Sequence, residues 1–348
     1  MSINRMIFVI VALLLSAGST HAELGIGHIA SEWDPQTKEF KEVYKDWQEG
    51  VVTNLDTGNY TITYKDDDTF SEVVFEPSTK IDPALKSKFH VSENKNIITY
   101  RYKLKNGKHS KQNIDTLITN INSAYGDLKN PKDWVGRTVP NSVDDRLRLS
   151  WIYDGNVDLG GLKPNEGPIG FSLESFDLPG IGTAQITGAA RPTTWLGIPD
   201  PASAIGKQVN NLQANNFVLR PAAVPLIPVP NPFDAAAVLT SMQKHVNQDL
   251  VSMKLIDPAF ASQLDRLFQT AIAAAKGSNT VALKGNLKDL RHMLKREHAD
   301  VDKDDEDGDD DAKDKEKDKS RLIDKLAAKV LDFDLQYIEK RLKAGKDD

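Results

Sequence analysis

The densest group of potential metal ligands in the chain is an acidic stretch, Asp302-Lys-Asp-Asp-Glu-Asp-Gly-Asp-Asp-Asp. If Gly308 takes the place of the turn glycine of an EF-hand, Asp305 and Asp307 stand at ligand positions. Lys303, however, then stands where the first carboxylate belongs. The pattern therefore predicts no tight loop site. It leaves weak, diffuse Ca²⁺ binding as the one cofactor expectation, with Asp305, Asp307, Asp309 and Asp311 as its candidates.

The same stretch lies within residues 300–319, which hold twelve acidic and five basic side chains and almost no apolar ones. Repulsion between like charges and the lack of apolar surface favour a solvated, disordered segment over a folded one. The net charge of the whole chain is −6, so this segment carries the acidic character and the remainder is close to neutral. We therefore expect no basic surface and no nucleic-acid partner.

Motifs for catalysis are sparse in this sequence. The chain has no cysteine, so thiol catalysis is excluded. His292, Glu297 and His298 lack the spacing of a zinc-protease helix, and surface histidines near a helix end are the favoured interpretation. Glu174 and Asp177 form a carboxylate pair of the kind that glycosidases use, although most such pairs are solvated surface charges. These residues favour a non-catalytic protein over an enzyme.

The function that the sequence favours is that of an exported binding or structural protein with an unknown extracellular or envelope ligand. Exposed aromatic side chains serve such binding, and Trp134 and Trp195 are the candidates. The alternative is a secreted hydrolase of envelope or extracellular polymers that uses carboxylates on the loops of a β-sandwich. A cleft with two facing carboxylates would favour the hydrolase, and a flat sheet with exposed aromatics would favour binding.

Alternating apolar residues predict the strands that position these side chains. Ile98, Tyr100, Tyr102 and Leu104 alternate with polar residues, so one face of this strand is buried. The Asn106-Gly107 pair that follows favours a hairpin turn. The alternation recurs around Trp151 and Phe171, and less regularly in 51–75. We expect residues 23–190 to form one antiparallel β-sandwich.

The C-terminal part changes from a strand period to a helix period. Residues 191–232 hold eight of the seventeen prolines and predict an extended connector. From Phe233 apolar residues recur every three or four positions in four stripes, with Asp257, Asn279 and Ser320 as predicted N-caps. The predicted fold class is α+β in separate domains, with the β-sandwich followed by a small α-helical bundle over 233–345. The acidic insert 300–319 interrupts this bundle.

The N-terminus has the layout of a secretory signal peptide over residues 1–22. Arg5 precedes an apolar run from Met6 to Leu15, and small residues lead to Ala22. We expect export to the periplasm or the extracellular medium. No later apolar run is long enough to cross a bilayer, so we expect no membrane span in the mature form. We also expect a monomer.

Two parts of the chain resemble known modules. The motifs Met242-Gln-Lys-His-Val, Leu255-Ile-Asp-Pro-Ala-Phe-Ala-Ser-Gln-Leu, Ala271-Ile-Ala-Ala-Ala-Lys-Gly and residues 287–293 resemble the FIMAH-type helical module of secreted bacterial proteins. The resemblance implies an accessory, non-catalytic role, and the acidic insert before the last helix departs from that pattern. The strand of Trp151, the Gly-Phe-Ser segment at 170–172 and the Pro-Gly turn at 179–180 resemble uncharacterised exported bacterial β-sandwich domains, which implies no known activity.

Overall fold

The structure is a computed structural model that describes residues 27–34, 36–46, 49–66, 69–92, 96–141, 146–155, 159–195, 199–298 and 321–344. The expected signal peptide, residues 1–22, lies outside these ranges. The acidic segment 300–319 also lies outside them, together with the four Ca²⁺ candidates Asp305, Asp307, Asp309 and Asp311. These expectations therefore stay predictions.

Within the described residues the fold is mixed α+β, with antiparallel sheets and with helices mainly in the C-terminal part. The strands are β1 (Gly27–Asp34), β2 (Glu39–Asp46), β3 (Gly50–Thr53), β4 (Tyr60–Asp66), β5 (Thr69–Phe75), β6 (Pro83–Val91), β7 (Ile98–Asn106), β8 (Ile114–Ile121), β9 (Tyr125–Lys129), β10 (Trp134–Pro140), β11 (Leu147–Tyr153), β12 (Ile169–Ser175), β13 (Leu178–Gly188) and β14 (Val218–Ile227). The helices are α1 (Ala204–Ala214), α2 (Ala235–His245), α3 (Pro258–Lys276), α4 (Thr280–Glu297) and α5 (Lys325–Ala344). A π-helical segment, Val246–Leu250, continues α2.

The chain divides into two compact units, and their boundaries differ from the predicted domains. One unit comprises the described residues up to Pro77 together with Ala190–Asn216. The other comprises Ser78–Ala189 together with the described residues from Phe217 onward. The second unit contains both the sheets expected of the β-domain and the helices expected of the bundle. These elements cluster together because they share one hydrophobic core.

The first unit is built from a β1–β2 hairpin, the three-stranded sheet β3-β4-β5 and helix α1. Alternate residues of the three-stranded sheet point to one side, where Ile62, Tyr64 and Phe75 are buried against Ile205 and Val209 of α1. The core residues of this sheet therefore pack within this unit. This differs from the expectation that strands 51–75 complete the sheets of residues 97–190.

The second unit contains a five-stranded sheet of order β10-β11-β8-β13-β14 and a four-stranded sheet of order β6-β7-β12-β9. Aromatic rings join the inner faces of the two sheets. Tyr102 of β7 lies 5.5 Å from Trp151 of β11 between ring centroids, and its hydroxyl donates a hydrogen bond to the carbonyl of Ala223 in β14. Trp151 and Trp134 both contact Phe171 of β12. The alternation predicted for Ile98, Tyr100, Tyr102 and Leu104 is confirmed by their burial.

The hairpin expected at Asn106-Gly107 is wrong. Strand β7 pairs with β6 and β12, whereas the following strand β8 lies in the other sheet. Asn106 is fully buried, and its side-chain amide donates to the carbonyls of Gln112 and Leu162 at 2.9 Å. An amide side chain that satisfies buried carbonyls is a common substitute for backbone pairing where a chain leaves a sheet. The Asn-Gly sequence therefore marks a crossover between sheets.

The proline-rich segment 191–232 is not a simple extended connector, because it contains α1 and β14. Strand β14 pairs with β13 over nine residues despite Pro221 and Pro225. It is the edge strand of its sheet, and only an edge strand can lack a donor on its outer side without breaking a ladder. Ala222, Ala223 and Val224 are buried between the two prolines.

The starts predicted for α3 and α4 and the end predicted for α3 are confirmed, whereas α1 was not predicted. The side chains of Asp257 and Asn279 accept hydrogen bonds from the first-turn amides of α3 and α4, and Gly277 follows the last residue of α3. Helix α5 is capped by Asp324, which accepts from the amides of Leu326 and Ala327, and the predicted cap Ser320 lies outside the described residues. None of the helices in the described part of the chain combines the length and apolar character required to cross a membrane.

Helix α5 packs on α4 and also on the sheets. An ion pair joins Arg291 of α4 to Asp332 of α5, with 2.8 Å between Nε and Oδ1. Phe333 packs edge-on against Phe89 of β6 at 4.9 Å between ring centroids. Because the helix has neighbours on several sides, its buried set is broader than a single stripe and includes Ala327, Leu331, Leu335 and Ile338.

Backbone hydrogen bonds to residues 255 and 257 hold the segment that precedes α5. The amide of Asp257 donates to the carbonyl of Leu322, and the amide of Asp324 donates to the carbonyl of Leu255. The fully buried His298 hydrogen-bonds through Nε2 to the carbonyl of Ile323 and through Nδ1 to the guanidinium of Arg321. His298 is thus a buried structural residue rather than the surface histidine that was expected, whereas His292 is exposed.

Candidate ligand-binding surface

An exposed pair of aromatic rings lies at one end of the four-stranded sheet. Tyr125 begins the edge strand β9, and Phe176 lies in the short turn between β12 and β13. Their ring centroids are 4.9 Å apart in an edge-to-face arrangement, and 48% and 46% of their surfaces remain exposed. Burying a phenylalanine completely stabilises a fold by about 1.5–3 kcal/mol. Two adjacent rings that forgo about half of this gain leave a small apolar patch exposed at this end of the sheet.

A hydrogen-bond network holds the backbone on both sides of this pair. Ser123, two residues before Tyr125, donates to a carboxylate oxygen of Asp177 at 2.6 Å and lies 2.8 Å from the hydroxyl of Ser175. The amide of Asp177 donates to Ser175 Oγ, and its carbonyl accepts from the buried hydroxyl of Tyr100. Burial raises the pKa of the Asp177 carboxyl, and the bond from Ser123 partly offsets this. The network therefore fixes the turn and the edge strand together.

Strand β9 also carries a bulge directly after Tyr125. Its pairing with β12 shifts between Lys129↔Ser172 and Tyr125↔Glu174, and Gly126 in the shifted stretch has φ +68°. A bulge bends an edge strand and redirects its side chains, and the positive φ favours glycine. This bulge lies between the aromatic end of β9 and Lys129.

Basic residues occupy the outward positions of the same sheet. On β7 the side chains of Arg101, Lys103 and Lys105 alternate with the buried Tyr102 and Leu104 and therefore lie on the outer face. The strand pairing places Lys103 opposite Lys86 of β6 and Arg101 opposite Lys88 of β6. Across β12, Lys129 pairs with Ser172, which itself pairs with Arg101. We call this surface the cationic face, and it consists of Lys86, Lys88, Arg101, Lys103, Lys105 and Lys129.

Basic side chains stand opposite each other on neighbouring strands of the cationic face. Two such pairs, Lys86 with Lys103 and Lys88 with Arg101, stand next to each other. Glu174 of β12 lies on the same face, opposite Tyr125. The aromatic pair, Glu174 and the cationic face thus form one continuous outer surface of the sheet.

The residues predicted to bind a ligand lie elsewhere. Trp134 is only 7% exposed and packs against Phe171 and Tyr153 in the core. Trp195 is half-buried in the first unit, with its ring 6.0 Å from that of Tyr64. These positions give both tryptophans a packing role, and ligand contact by them stays a prediction.

The carboxylates proposed as a pair are placed in different surroundings. Glu174 is half-buried at an outward position of β12, whereas the carboxylate of Asp177 is hydrogen-bonded to Ser123 beneath the aromatic turn. In the described residues no group of three or more His, Asp or Glu side chains has the arrangement of a metal site. The hydrogen bonds of Asp177 indicate that this residue holds the turn between β12 and β13.

A buried histidine of α2 contacts the five-stranded sheet. His245 Nε2 accepts a hydrogen bond from the amide of Ile181 at 2.9 Å, and its Nδ1 lies 2.7 Å from a carboxylate oxygen of Asp249. This bond lowers the pKa of the Asp249 carboxyl. Both ring nitrogens are therefore engaged, and the residue joins α2 to β13. Gly180 permits this approach, because a Cβ there would lie 3.2 Å from Nε2.

The cationic face was not predicted from the sequence, because total charge does not show how charges are distributed. Net charge averages over the chain, so a nearly neutral remainder does not exclude a local basic surface, contrary to the expectation above. The alternation that identifies Tyr100, Tyr102 and Leu104 as buried also places Arg101, Lys103 and Lys105 on the opposite face. The alternation within β7 could therefore have been read from the sequence. The pairing of β7 with Lys86 and Lys88 of β6 could not, because local periodicity does not show which strand lies beside β7.

No protein-family model, curated protein or solved structure matches this chain.

Proposed function

We propose that this chain is an exported, non-catalytic binding protein whose ligand contacts the outer surface of the four-stranded sheet. The observation that carries the proposal is the exposed pair of Tyr125 and Phe176, held in place by Ser123, Ser175 and Asp177. Rigid exposed aromatics give a large contact area at little cost in conformational entropy, which is why they are frequent in binding surfaces.

The wider architecture is part of the same proposal. The two sheets of the second unit, which face each other through Tyr102, Trp151 and Phe171, are proposed to form a β-sandwich. The helices α2–α5 are proposed to act as an accessory module, in line with the FIMAH resemblance. They bury apolar residues in the same cluster as the sheets, which suits a support for a binding surface. Export rests on the signal-peptide pattern of residues 1–22.

The test is co-sedimentation of the purified protein with native envelope material and with insoluble extracellular polymers. The double variant Tyr125→Ala/Phe176→Ala is expected to weaken binding at least tenfold, since each ring contributes on the order of 1 kcal/mol or more at a binding surface. The matched control is Val135→Ala/Val139→Ala, which removes two partly exposed apolar side chains from β10 of the other sheet. Control binding should equal that of the native chain.

Two results would contradict the proposal. Equal binding by the aromatic variant and the native chain would place the ligand elsewhere on the molecule. Release of reducing ends from the polymers, abolished by Glu174→Gln, would instead support the hydrolase alternative. Thermal unfolding of each variant, compared with the native chain, shows whether a loss of binding is a loss of folding.

A further inference from the structure

We propose that the ligand carries a phosphocholine-type group, in which a quaternary ammonium is joined to a phosphate ester by a short linker. The ammonium contacts Tyr125, Phe176 and Glu174, and the phosphate lies between Arg101 and Lys129. This inference rests on the proposed function and names the chemistry of its ligand. It is carried by the strand register, which places the two sets of side chains in neighbouring rows of the outer surface.

The first row lies at the aromatic end of the sheet. Tyr125 of β9 pairs with Glu174 of β12, and Phe176 follows Glu174 by two residues. Glu174 is half-buried, and it has no hydrogen bond or ion pair with the residues that the structure describes. The exposed faces of aromatic rings attract cations, and a carboxylate beside the rings adds charge of the required sign. This row therefore suits an organic cation.

The second row is basic and lies two residues away along β12. Ser172 pairs with Lys129 on one side and with Arg101 on the other, so its outward hydroxyl lies between two cations. Arg101 and Lys129 are exposed, and within the described part of the chain neither has a hydrogen bond or an ion pair. Both cations and the hydroxyl are donors that phosphate oxygens accept. This row therefore suits a single phosphate group.

The distance between the rows favours one ligand that carries both charges. Residues two apart on a strand are separated by roughly 7 Å, and neighbouring strands by about 4.8 Å. The long side chains of Arg101 and Lys129 can therefore reach a phosphate above Ser172 while the ammonium of the same molecule contacts Glu174. Three lysines of the cationic face already have other interactions and are not needed for this site, namely Lys86, Lys88 and Lys103.

Two other kinds of ligand suit the surface less well. Strand β9 contains Asp127 between Tyr125 and Lys129, so residues 125, 127 and 129 are aromatic, acidic and basic in turn. A uniform polyanion does not match this change of sign. Binding to a bilayer surface grows with the apolar area that is buried, and Tyr125 and Phe176 are the large exposed apolar side chains in the described part of this sheet. The phosphocholine-type group therefore belongs to a soluble or polymer-linked molecule.

The test measures the affinity of the full chain for phosphocholine, choline and inorganic phosphate by titration calorimetry. Phosphocholine should bind roughly tenfold or more tightly than either part alone, because both rows then contribute. Glu174→Gln should weaken phosphocholine binding by about tenfold and strengthen phosphate binding, since it removes a negative charge that attracts the ammonium and repels the phosphate. A loss of folding would weaken both, so the opposite signs separate a binding role from a structural one.

A second pair of variants tests the basic row. Arg101→Gln/Lys129→Gln should weaken phosphocholine binding by about tenfold. The matched control is Lys276→Gln/Lys288→Gln, which changes the net charge equally but alters α3 and α4 instead of the sheet. It should leave phosphocholine binding within a factor of about two of the native chain, because screening weakens charges beyond about 10 Å. Equal loss in both double variants would overturn the site, since net charge alone would then explain binding.

The remaining outcomes separate this inference from the proposed function. Phosphate binding as tight as phosphocholine binding would overturn the ammonium contact and with it the inference. Binding to phosphatidylcholine vesicles that free phosphocholine does not displace would overturn it in favour of a bilayer surface. If no probe binds, yet envelope material binds and is lost in Tyr125→Ala/Phe176→Ala, the inference fails and the proposed function stands. If no probe binds and the aromatic variant retains envelope binding, both fail.

Discussion

Replacing Asp334 should stabilise the protein, and the gain should grow with pH. Asp334 lies on α5 with no exposed surface, and neither carboxyl oxygen has a hydrogen-bond partner among the described residues. Burial raises the pKa of this carboxyl well above its usual value, so the group binds its proton more tightly in the folded chain than in the unfolded one. The nearby hydroxyl of Tyr100 donates instead to the carbonyl of Asp177, and its own pKa is raised by burial and by Asp334.

The magnitude follows from proton linkage. An aspartate in the unfolded chain ionises near pH 3.9, so above that pH the unfolded state has lost a proton that the folded state retains. The free energy of unfolding is therefore undiminished below the unfolded pKa. It falls by about 1.4 kcal/mol for each pH unit between the unfolded and the folded pKa. Asp334→Leu removes this group and with it this part of the pH dependence.

The assay is urea unfolding of both proteins at pH 4.5, 5.5 and 6.5. The difference in free energy of unfolding between Asp334→Leu and the native chain should rise with pH, with a limiting slope of about 1.4 kcal/mol per pH unit. The matched control is Asp332→Leu on the same helix, whose equally buried carboxylate is paired with Arg291. It should destabilise the fold by about 1–2 kcal/mol, since Arg291 is 22% exposed and also contacts Glu339. A pH-independent difference for Asp334→Leu, or a loss of stability at every pH, would refute the reasoning.

Further substitutions test the contacts that position the helices. Gly180→Ala should lower the free energy of unfolding by about 1–3 kcal/mol, because its Cβ would meet a leucine side chain at 2.9 Å as well as His245. Gly170→Ala is the control in thermal unfolding, because nothing lies within 4 Å of its Cβ, and equal losses would contradict the steric argument. His245→Phe should cost about 1–3 kcal/mol by leaving the amide of Ile181 without its acceptor. Hydrogen exchange at that amide should then accelerate, and unchanged exchange would count against this bond. Asp324→Ala should cost about 1 kcal/mol through the lost N-cap of α5, and unchanged urea unfolding would exclude that role.

The features that were predicted correctly are those set by residues close in sequence. The alternation of apolar and polar residues predicted the buried faces of β7, β11 and β12. The cap residues Asp257 and Asn279 predicted the starts of α3 and α4. Each of these signals spans a few residues, because a strand or a helix cap is defined by its own backbone geometry.

The features that were missed depend on distant neighbours. Strand β14 contains prolines that argue against a strand, and only its place at the sheet edge makes them acceptable. The cationic face depends on the pairing of β6 with β7, between residues that local periodicity cannot join. The broad burial of α5 follows from its packing against both α4 and the sheets, whereas a stripe analysis assumes one buried side.

The contact between His298 and Arg321 holds together the two ends of segment 299–320. The two side chains contact each other, and Glu297 accepts a hydrogen bond from the amide of Leu322, so residues 297–298 and 321–322 lie side by side. For a connection whose ends are already held together, doubling or halving its length alters the closure entropy by only about 0.6 kcal/mol. For the solvated segment that composition predicts at 300–319, we therefore expect insertions and deletions to change stability little. This segment is also the natural place to introduce an affinity tag or a fluorescent reporter without disturbing the sheet surface that we propose for the ligand.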